Sequence, residues 1–170
     1  MKSRLAMYHI DPSDPTTFVV GKCLIQTRCF LLLVLLTPNG RWDGFALIDS
    51  KDVVSVATEH PYLERLRKLL GLWNEVEPVW PGCLPNSILD FFETALCAQR
   101  AVSVELCASG DTDCIGFVEA VDGTFVKLRQ YDDDDLPDGF TCFTLNAVTR
   151  AYLSSESLRA LEYLALQEST

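Results

Sequence analysis

The stretch IGFVEAVDGTFVKLRQYDDDDLPDGFTCFTLNAVTRA, residues 115 to 151, decides the reading of the fold, because an earlier stretch shares its layout at a constant offset. Ninety-five residues upstream, VGKCLIQTRCFLLLVLLTPNGRWDGFALIDSKDVVSV, residues 20 to 56, lies beneath it without a gap. Between residues 21 to 69 and 116 to 164, ten of 49 positions are identical: Gly21/Gly116, Phe30/Phe125, Leu33/Leu128, Asp43/Asp138, Gly44/Gly139, Phe45/Phe140, Val53/Val148, Leu63/Leu158, Leu66/Leu161 and Leu69/Leu164. Composition alone would give about three. Strand-like runs, turns and a following stripe of leucines fall in the same order in both copies, which implies one supersecondary unit used twice.

The two copies differ in ways that matter for function. Residues 30 to 36, FLLLVLL, are apolar without alternation and should be buried on both faces. Their counterpart, residues 125 to 131, FVKLRQY, alternates and should face water on one side. The first copy turns through TPNGRW, a hairpin signal with Asn-Gly. The second turns through YDDDDLPDG, where Asp132, Asp133, Asp134, Asp135 and Asp138 gather five carboxylates.

Working outward, residues 4 to 10 read as a first strand, broken by the turn DPSDP at 11 to 15. A strand over 18 to 29 contains Gly21, where a strand can bend sharply. Strands follow at 44 to 48 and 52 to 57, then a helix that starts at His60-Pro61 and presents Leu63, Leu66 and Leu70 on one face. Residues 71 to 85, rich in proline, glycine and tryptophan, form an irregular connector that should lie against the body. Asn86 or Ser87 caps a helix over 88 to 100, strands follow at 101 to 107, 114 to 121, 124 to 131 and 139 to 153, and a helix over about 155 to 166 closes the chain. The expected organisation is a first unit over 1 to 72, a connector over 73 to 86 and a second unit, opened by its own helix, over 87 to 170.

The sequence of 170 residues carries 14 basic and 24 acidic side chains, a net charge of −10. Residues 1 to 100 hold 11 acids and 10 bases, whereas residues 101 to 170 hold 13 acids and 4 bases. That asymmetry disfavours nucleic acid, whose affinity comes largely from cations neutralising phosphates, and favours a basic protein partner. The N-terminus has no export-signal pattern and the longest apolar run is far short of the roughly 20 residues of a membrane helix, so a cytoplasmic protein without membrane contact is expected. Seven cysteines without CxxC spacing imply reduced, buried thiols. His9 and His60 form no ligand spacing with cysteine or acid, and no GxSxG, HExxH, P-loop or dinucleotide glycine pattern occurs. No enzyme activity, cofactor or metal is expected. The repeated Asp-Gly-Phe reads as scaffold, with Asp accepting backbone bonds, Gly supplying a special dihedral and Phe filling the core. Tyr62, Trp73, Trp80 and Phe91 read as packing residues.

Residues 116 to 128, GFVEAVDGTFVKL, resemble the first motif of the Sm/LSm-like proteins, with Gly116, Val118, Val121, Asp122 and Phe125 in its places. IDSKDVVSV at 48 to 56, and its equivalent FTLNAVTRA at 143 to 151, resemble the second. The resemblance covers about two-thirds of the chain and implies an α+β, mainly β architecture: two tandem Sm-like units, each a bent five-stranded barrel or sheet followed by a helix, with the helix over 88 to 100 matching the family's N-terminal helix. It also implies that two fused units pair their edge strands, giving a monomer that is an internal pseudo-dimer, or a homodimer. RNA-binding members carry an asparagine after the first motif's aspartate and an arginine-glycine pair in the second. Here Val126 and Leu31, and Asp49-Ser50 and Thr144-Leu145, stand in those places, so the groups that would bond and stack on a base are missing. The expected function is a non-catalytic, acidic protein-binding module of the immunity-protein or antitoxin kind, contacting its partner through Asp132 to Asp135 and Asp138. An RNA-associated Sm-like protein is the alternative.

Overall fold

A computed structural model of the chain describes residues 4 to 14 and 16 to 168, so Pro15 of the expected DPSDP turn lies outside the described residues. Strand-forming runs punctuated by turn residues give β1 (Leu5–His9), β2 (Phe18–Gln26), β3 (Phe30–Leu36), β4 (Trp42–Asp49) and β5 (Ser55–Ala57), followed by α1 (Pro61–Trp73). Then come α2 (Ile88–Cys97), β6 (Ala101–Leu106), β7 (Cys114–Val121), β8 (Phe125–Tyr131), β9 (Pro137–Thr144), β10 (Val148–Leu153) and α3 (Glu156–Glu168). The chain divides into two compact units, Met1–Trp80 and Pro81–Thr170. Both are antiparallel and mainly β, so the class is α+β. Among the described residues no helix is long and apolar enough to cross a membrane.

The duplication extends to individual hydrogen-bonded pairs. The first unit's sheet runs β5-β1-β2-β3-β4 and the second's runs β10-β6-β7-β8-β9. Elements β3, β4 and α1 recur as β8, β9 and α3 with both bounds displaced by 95 residues. The 3-10 turns between fourth and fifth strands, Ser50–Asp52 and Leu145–Ala147, do the same. Gly21 faces Leu35 and Gly116 faces Gln130, and each register then slips at a bulge, between Cys23 and Ile25 or between Val118 and Ala120. The first strands are offset by one further residue, since Ala6 pairs with Gly21 whereas Val102 pairs with Gly116. In neither unit do the fourth and fifth strands pair with each other, so each is an open five-stranded sheet rather than a closed barrel.

A glycine at the head of each bend is a steric requirement. A Cβ on Gly21 would lie 2.4 Å from the carbonyl oxygen of Val34, and one on Gly116 would lie 1.9 Å from that of Arg129. Gly116 also has φ +153. The second strand therefore presses on the third at the same place in both units, and the bulge that follows increases the bend.

Packing on these frames follows the apolar pattern. All seven residues of β3 are buried, and β8 alternates as its sequence dictates. In the first unit α1 buries Leu63 and Leu66. The connector is held by that unit: Glu75 accepts from the Arg41 Nε–H at 2.7 Å and the Trp42 N–H at 3.3 Å, Glu77 pairs with Lys22, and Trp80 packs edge-on against Phe45 at 5.1 Å. In the second unit Phe92 of α2 meets Phe143 at 5.8 Å, and Leu158 and Leu161 of α3 bury against Ala101 and Tyr131. A buried ion pair, Arg150 to Glu105 at 2.8 Å, links opposed residues of β10 and β6, and the Gly110 N–H donates to the same carboxylate. One carboxylate thus ties a strand pair and a loop where water is excluded.

Several expectations are corrected in detail. The helix capped by Ser87 ends at Cys97 rather than 100, because Gln99 adopts φ 51 and the Arg100 N–H returns to the Ala95 carbonyl at 3.0 Å. The fifth strand starts at Ser55, after the 3-10 turn that Asp49 caps through the Lys51 N–H. The cysteines are not generally buried: Cys29, Cys83, Cys97, Cys107 and Cys142 are exposed, and only Cys114 is fully buried. Cys97 and Cys107 lie at or just past the ends of α2 and β6, Cys29 in the β2–β3 turn and Cys83 in the connector, while Cys142 takes an outward position of β9.

Gly116→Ala should destabilise the protein by about 2 kcal/mol or more, through the clash and the backbone conformation together. Gly71→Ala, in the last turns of α1 with nothing within 4 Å of the added carbon, should stabilise by about 0.5–1 kcal/mol. Denaturant midpoints at an unchanged m-value check both.

Candidate protein-binding surface

The β8–β9 turn carries four of the five aspartates singled out above and Asp138 lies at the start of β9, and the construction of the hairpin separates their roles. Asp132 closes the turn: its N–H donates to the Leu136 carbonyl at 2.9 Å, and its Oδ1 accepts from the N–H groups of Asp134 at 3.0 Å and Leu136 at 2.9 Å. The first unit builds its turn the same way with Thr37, whose N–H donates to the Arg41 carbonyl at 2.8 Å and whose hydroxyl accepts from the Arg41 N–H at 3.1 Å. Asp122 and Thr27 form a second such pair in the preceding hairpins. Asp122 Oδ1 accepts from Thr124 and Phe125, both at 2.7 Å, where Thr27 Oγ1 accepts from Cys29 and Phe30. Those two N–H bonds hold the Asp122 carboxyl below the ordinary carboxylate range. Part of the second unit's acidity therefore does a task that threonine does in the first.

Asp133 and Asp134 are exposed, as is Asp138, whose carboxylate lies 3.4 Å from the Gln130 side-chain amide. Asp135 is half-buried with φ +61 and occupies the place of Gly40, at φ +75. That exchange changes how the hairpin is covered. A Cβ on Gly40 would lie 2.4 Å from the Leu69 Cβ, so α1 packs directly onto the first hairpin. The same hairpin accepts bonds from the Arg65 Nη1 at its Pro38 carbonyl and from the Trp73 Nε1 at its Asn39 carbonyl. A side chain at position 135 excludes such an approach, and Leu164, the counterpart of Leu69, is 45% exposed. The β8–β9 turn therefore lacks the close helix packing seen at Gly40, although Tyr131 at the end of β8 still buries against Leu158 and Leu161 of α3.

Large apolar side chains are exposed on the hairpin. Phe125 is 49%, Leu136 52% and Phe140 61% exposed. The expectation that Phe140 fills a core, as Phe45 does at 2% exposure, is overturned. Phe140 opposes Arg129 across the sheet and shares its solvent-facing side, where Lys127 Nζ lies 4.4 Å from the Phe140 ring centre. The register of β8 carried that signal, because a strand that alternates towards water makes its neighbour do so too. Arg129 pairs with Glu119 at 3.0 Å and lies over Phe117, completing a mixed cationic and aromatic face.

The remaining candidates are absorbed by the scaffold. His60 caps α1, its Nδ1 accepting from the Tyr62 N–H at 3.1 Å, and His9 packs against Phe18. Tyr62 meets Phe18 edge-on, Trp80 and Phe91 are buried, and Trp73 is half exposed over the first hairpin. Gly44 and Gly139 share a positive φ at the entry to the fourth strands. Among the described residues no group of three or more His, Cys, Asp or Glu side chains is placed to hold a metal ion. No family model matches the chain, and no curated protein or solved structure matches it.

Asp132→Ala should cost about 1 kcal/mol by leaving turn N–H groups without an acceptor, Asp132→Thr should recover most of it, and Asp133→Asn should stay within about 0.5 kcal/mol of the parent. The Asp122 carboxyl titrates lower folded than unfolded, so its stabilisation is present above the unfolded value near pH 4 and is lost as pH falls through the folded one. Asp122→Thr should remove that share of acid sensitivity, measured from unfolding midpoints between neutral pH and about pH 3.

Proposed function

We propose that the chain is a non-catalytic protein-binding module whose contact surface is the β8–β9 hairpin of the second unit, and that its partner is a basic protein. The observation that carries this reading is the coincidence, at the β8–β9 turn and the start of β9, of exposed Leu136 and Phe140 with the carboxylates of Asp133, Asp134 and Asp138, with Phe125 exposed at the far end of the same hairpin. Exposed apolar anchors beside a charged rim are the composition of a docking patch, the anchors supplying affinity and the acidic turn supplying encounter rate, while Lys127 and Arg129 line the neighbouring face. An immunity protein or antitoxin that neutralises a basic toxin is the class that fits this surface and the chain's charge. We also infer an Sm-like origin for the two units. It is supported by the glycine-headed bent second strand in each five-stranded sheet and by α2 preceding the second sheet.

The RNA-associated alternative draws on Phe117, Lys127, Arg129 and Phe140, rings and cations of the kind a single strand stacks on. Those cations are already engaged by the rings and by Glu119. The protein reading is therefore preferred.

The test uses a purified basic candidate, such as the product of an adjacent gene. A complex should form whose association rate falls with added salt and with Asp133→Asn, Asp134→Asn and Asp138→Asn combined, while Phe140→Ala accelerates dissociation and costs more than about 1 kcal/mol. Asp132 stays intact in these variants because it closes the turn. Binding indifferent to salt and to all four changes removes the hairpin from the account. Tight RNA retention in filter binding, with a steep loss between about 50 and 200 mM salt, favours the alternative instead.

A further inference from the structure

We propose that the first unit carries an anion-binding cleft that takes a small phosphorylated molecule. A cleft of about 420 Å³ opens where the start of β1, the middle of β2, the loop before α1 and α1 itself come together. It is lined by Arg4, Lys22 and Arg67, with Glu59 as its one acid and Leu5 and Leu70 as apolar wall. Three cations thus converge on one concavity.

The ion pairs of the protein sharpen the point. Lys22 is matched to Glu77, and the other paired cations, Arg41, Lys51, Arg100, Arg129 and Arg150, each have a carboxylate. Among the described residues Arg4 and Arg67 have none, which is equally true of Arg28, Arg65, Lys68, Lys127 and Arg159, but Arg4 and Arg67 share one cleft. The Arg67 Nη2 donates to two backbone carbonyls, of Leu5 at 3.4 Å and Thr58 at 3.3 Å. Those bonds hold the guanidinium at the cleft and leave its Nη1 and Nε donors unengaged. A guanidinium carries five donors in a fixed fork that matches oxyanions, so an anchored one beside a second, unpaired one is a preformed oxyanion receptor.

Glu59 offsets one of the two guanidinium charges, so the choice of ligand rests on donor number: a carboxylate offers two acceptor oxygens to the two forks, whereas a phosphate monoester offers three and carries about −1.5 to −2 charges. Leu5 and Leu70 then accept a short apolar portion, and the volume lies at the small-molecule end of the usual range of about 300–1,000 Å³. The cleft lies in the first unit and the acidic hairpin in the second, so this inference stands or falls independently of the proposed partner.

Inorganic phosphate titrated into the full chain at constant ionic strength, followed by backbone amide NMR, tests it. Saturable shifts are expected at Leu5, Thr58 and Leu70, with a millimolar dissociation constant. Arg4→Gln and Arg67→Lys should each weaken binding about tenfold, the worth of one charge-assisted hydrogen bond, and Glu59→Gln should tighten it. Among the described residues the Arg4 side chain makes no hydrogen bond or ion pair, so Arg4→Gln decides the matter even if Arg67→Lys fails to fold. Shifts that rise without saturating, or that saturate identically in Arg4→Gln, overturn the proposal. Acetate binding as tightly as phosphate overturns the choice of ligand class.

Discussion

Both units depend on one close approach of backbone to backbone. The second strand crosses the third with a glycine set against the opposing carbonyl, Gly21 on Val34 and Gly116 on Arg129, and a bulge follows two to three residues later at the same place in each. No side chain fits there. The bend turns the strand's apolar side chains inward and fixes where the third strand, both hairpins and the fifth strand fall. Several of the positions identical between the copies have a steric or packing duty in both, among them the bend glycine, the Leu33/Leu128 core position and the helix leucines Leu63/Leu158 and Leu66/Leu161.

On this common frame, single exchanges have set different surfaces. Gly40 lets α1 rest on the first hairpin, and Asp135 in the same backbone conformation leaves the β8–β9 turn without that close packing. Phe45 is buried under Trp80, and Phe140 stands in solvent beneath Lys127. Phe125, Leu136 and Phe140 are exposed on that hairpin, and the proposed docking role rests on this exposure.

Electrostatically the units have diverged as well. Hydroxyl acceptors at Thr27 and Thr37 became carboxylate acceptors at Asp122 and Asp132 with the turn bonds retained, so negative charge accumulated without disturbing the fold. In the first unit the comparable event is the convergence of arginines without carboxylate partners on one cleft. A net charge of −10 averages over both and describes neither surface.

By itself, the sequence determined the duplication, the strand and helix order, the buried run at 30 to 36 against the alternating run at 125 to 131, and helix starts at His60-Pro61 and at Asn86 or Ser87. These are local consequences of period, turn chemistry and volume, and they can be read within a window of a few residues. Tertiary structure alone decided the rest. It decided that Phe140 is exposed though Phe45 is not, that Asp132 is a turn acceptor while Asp133 and Asp134 are exposed, and that Glu105 meets Arg150. It also decided that Arg4, Lys22 and Arg67, up to 63 residues apart, line one cleft. Each of those depends on which distant element covers a residue or faces it, and such pairings are set by the register and bend of the sheets rather than by the residues' own neighbours in the chain.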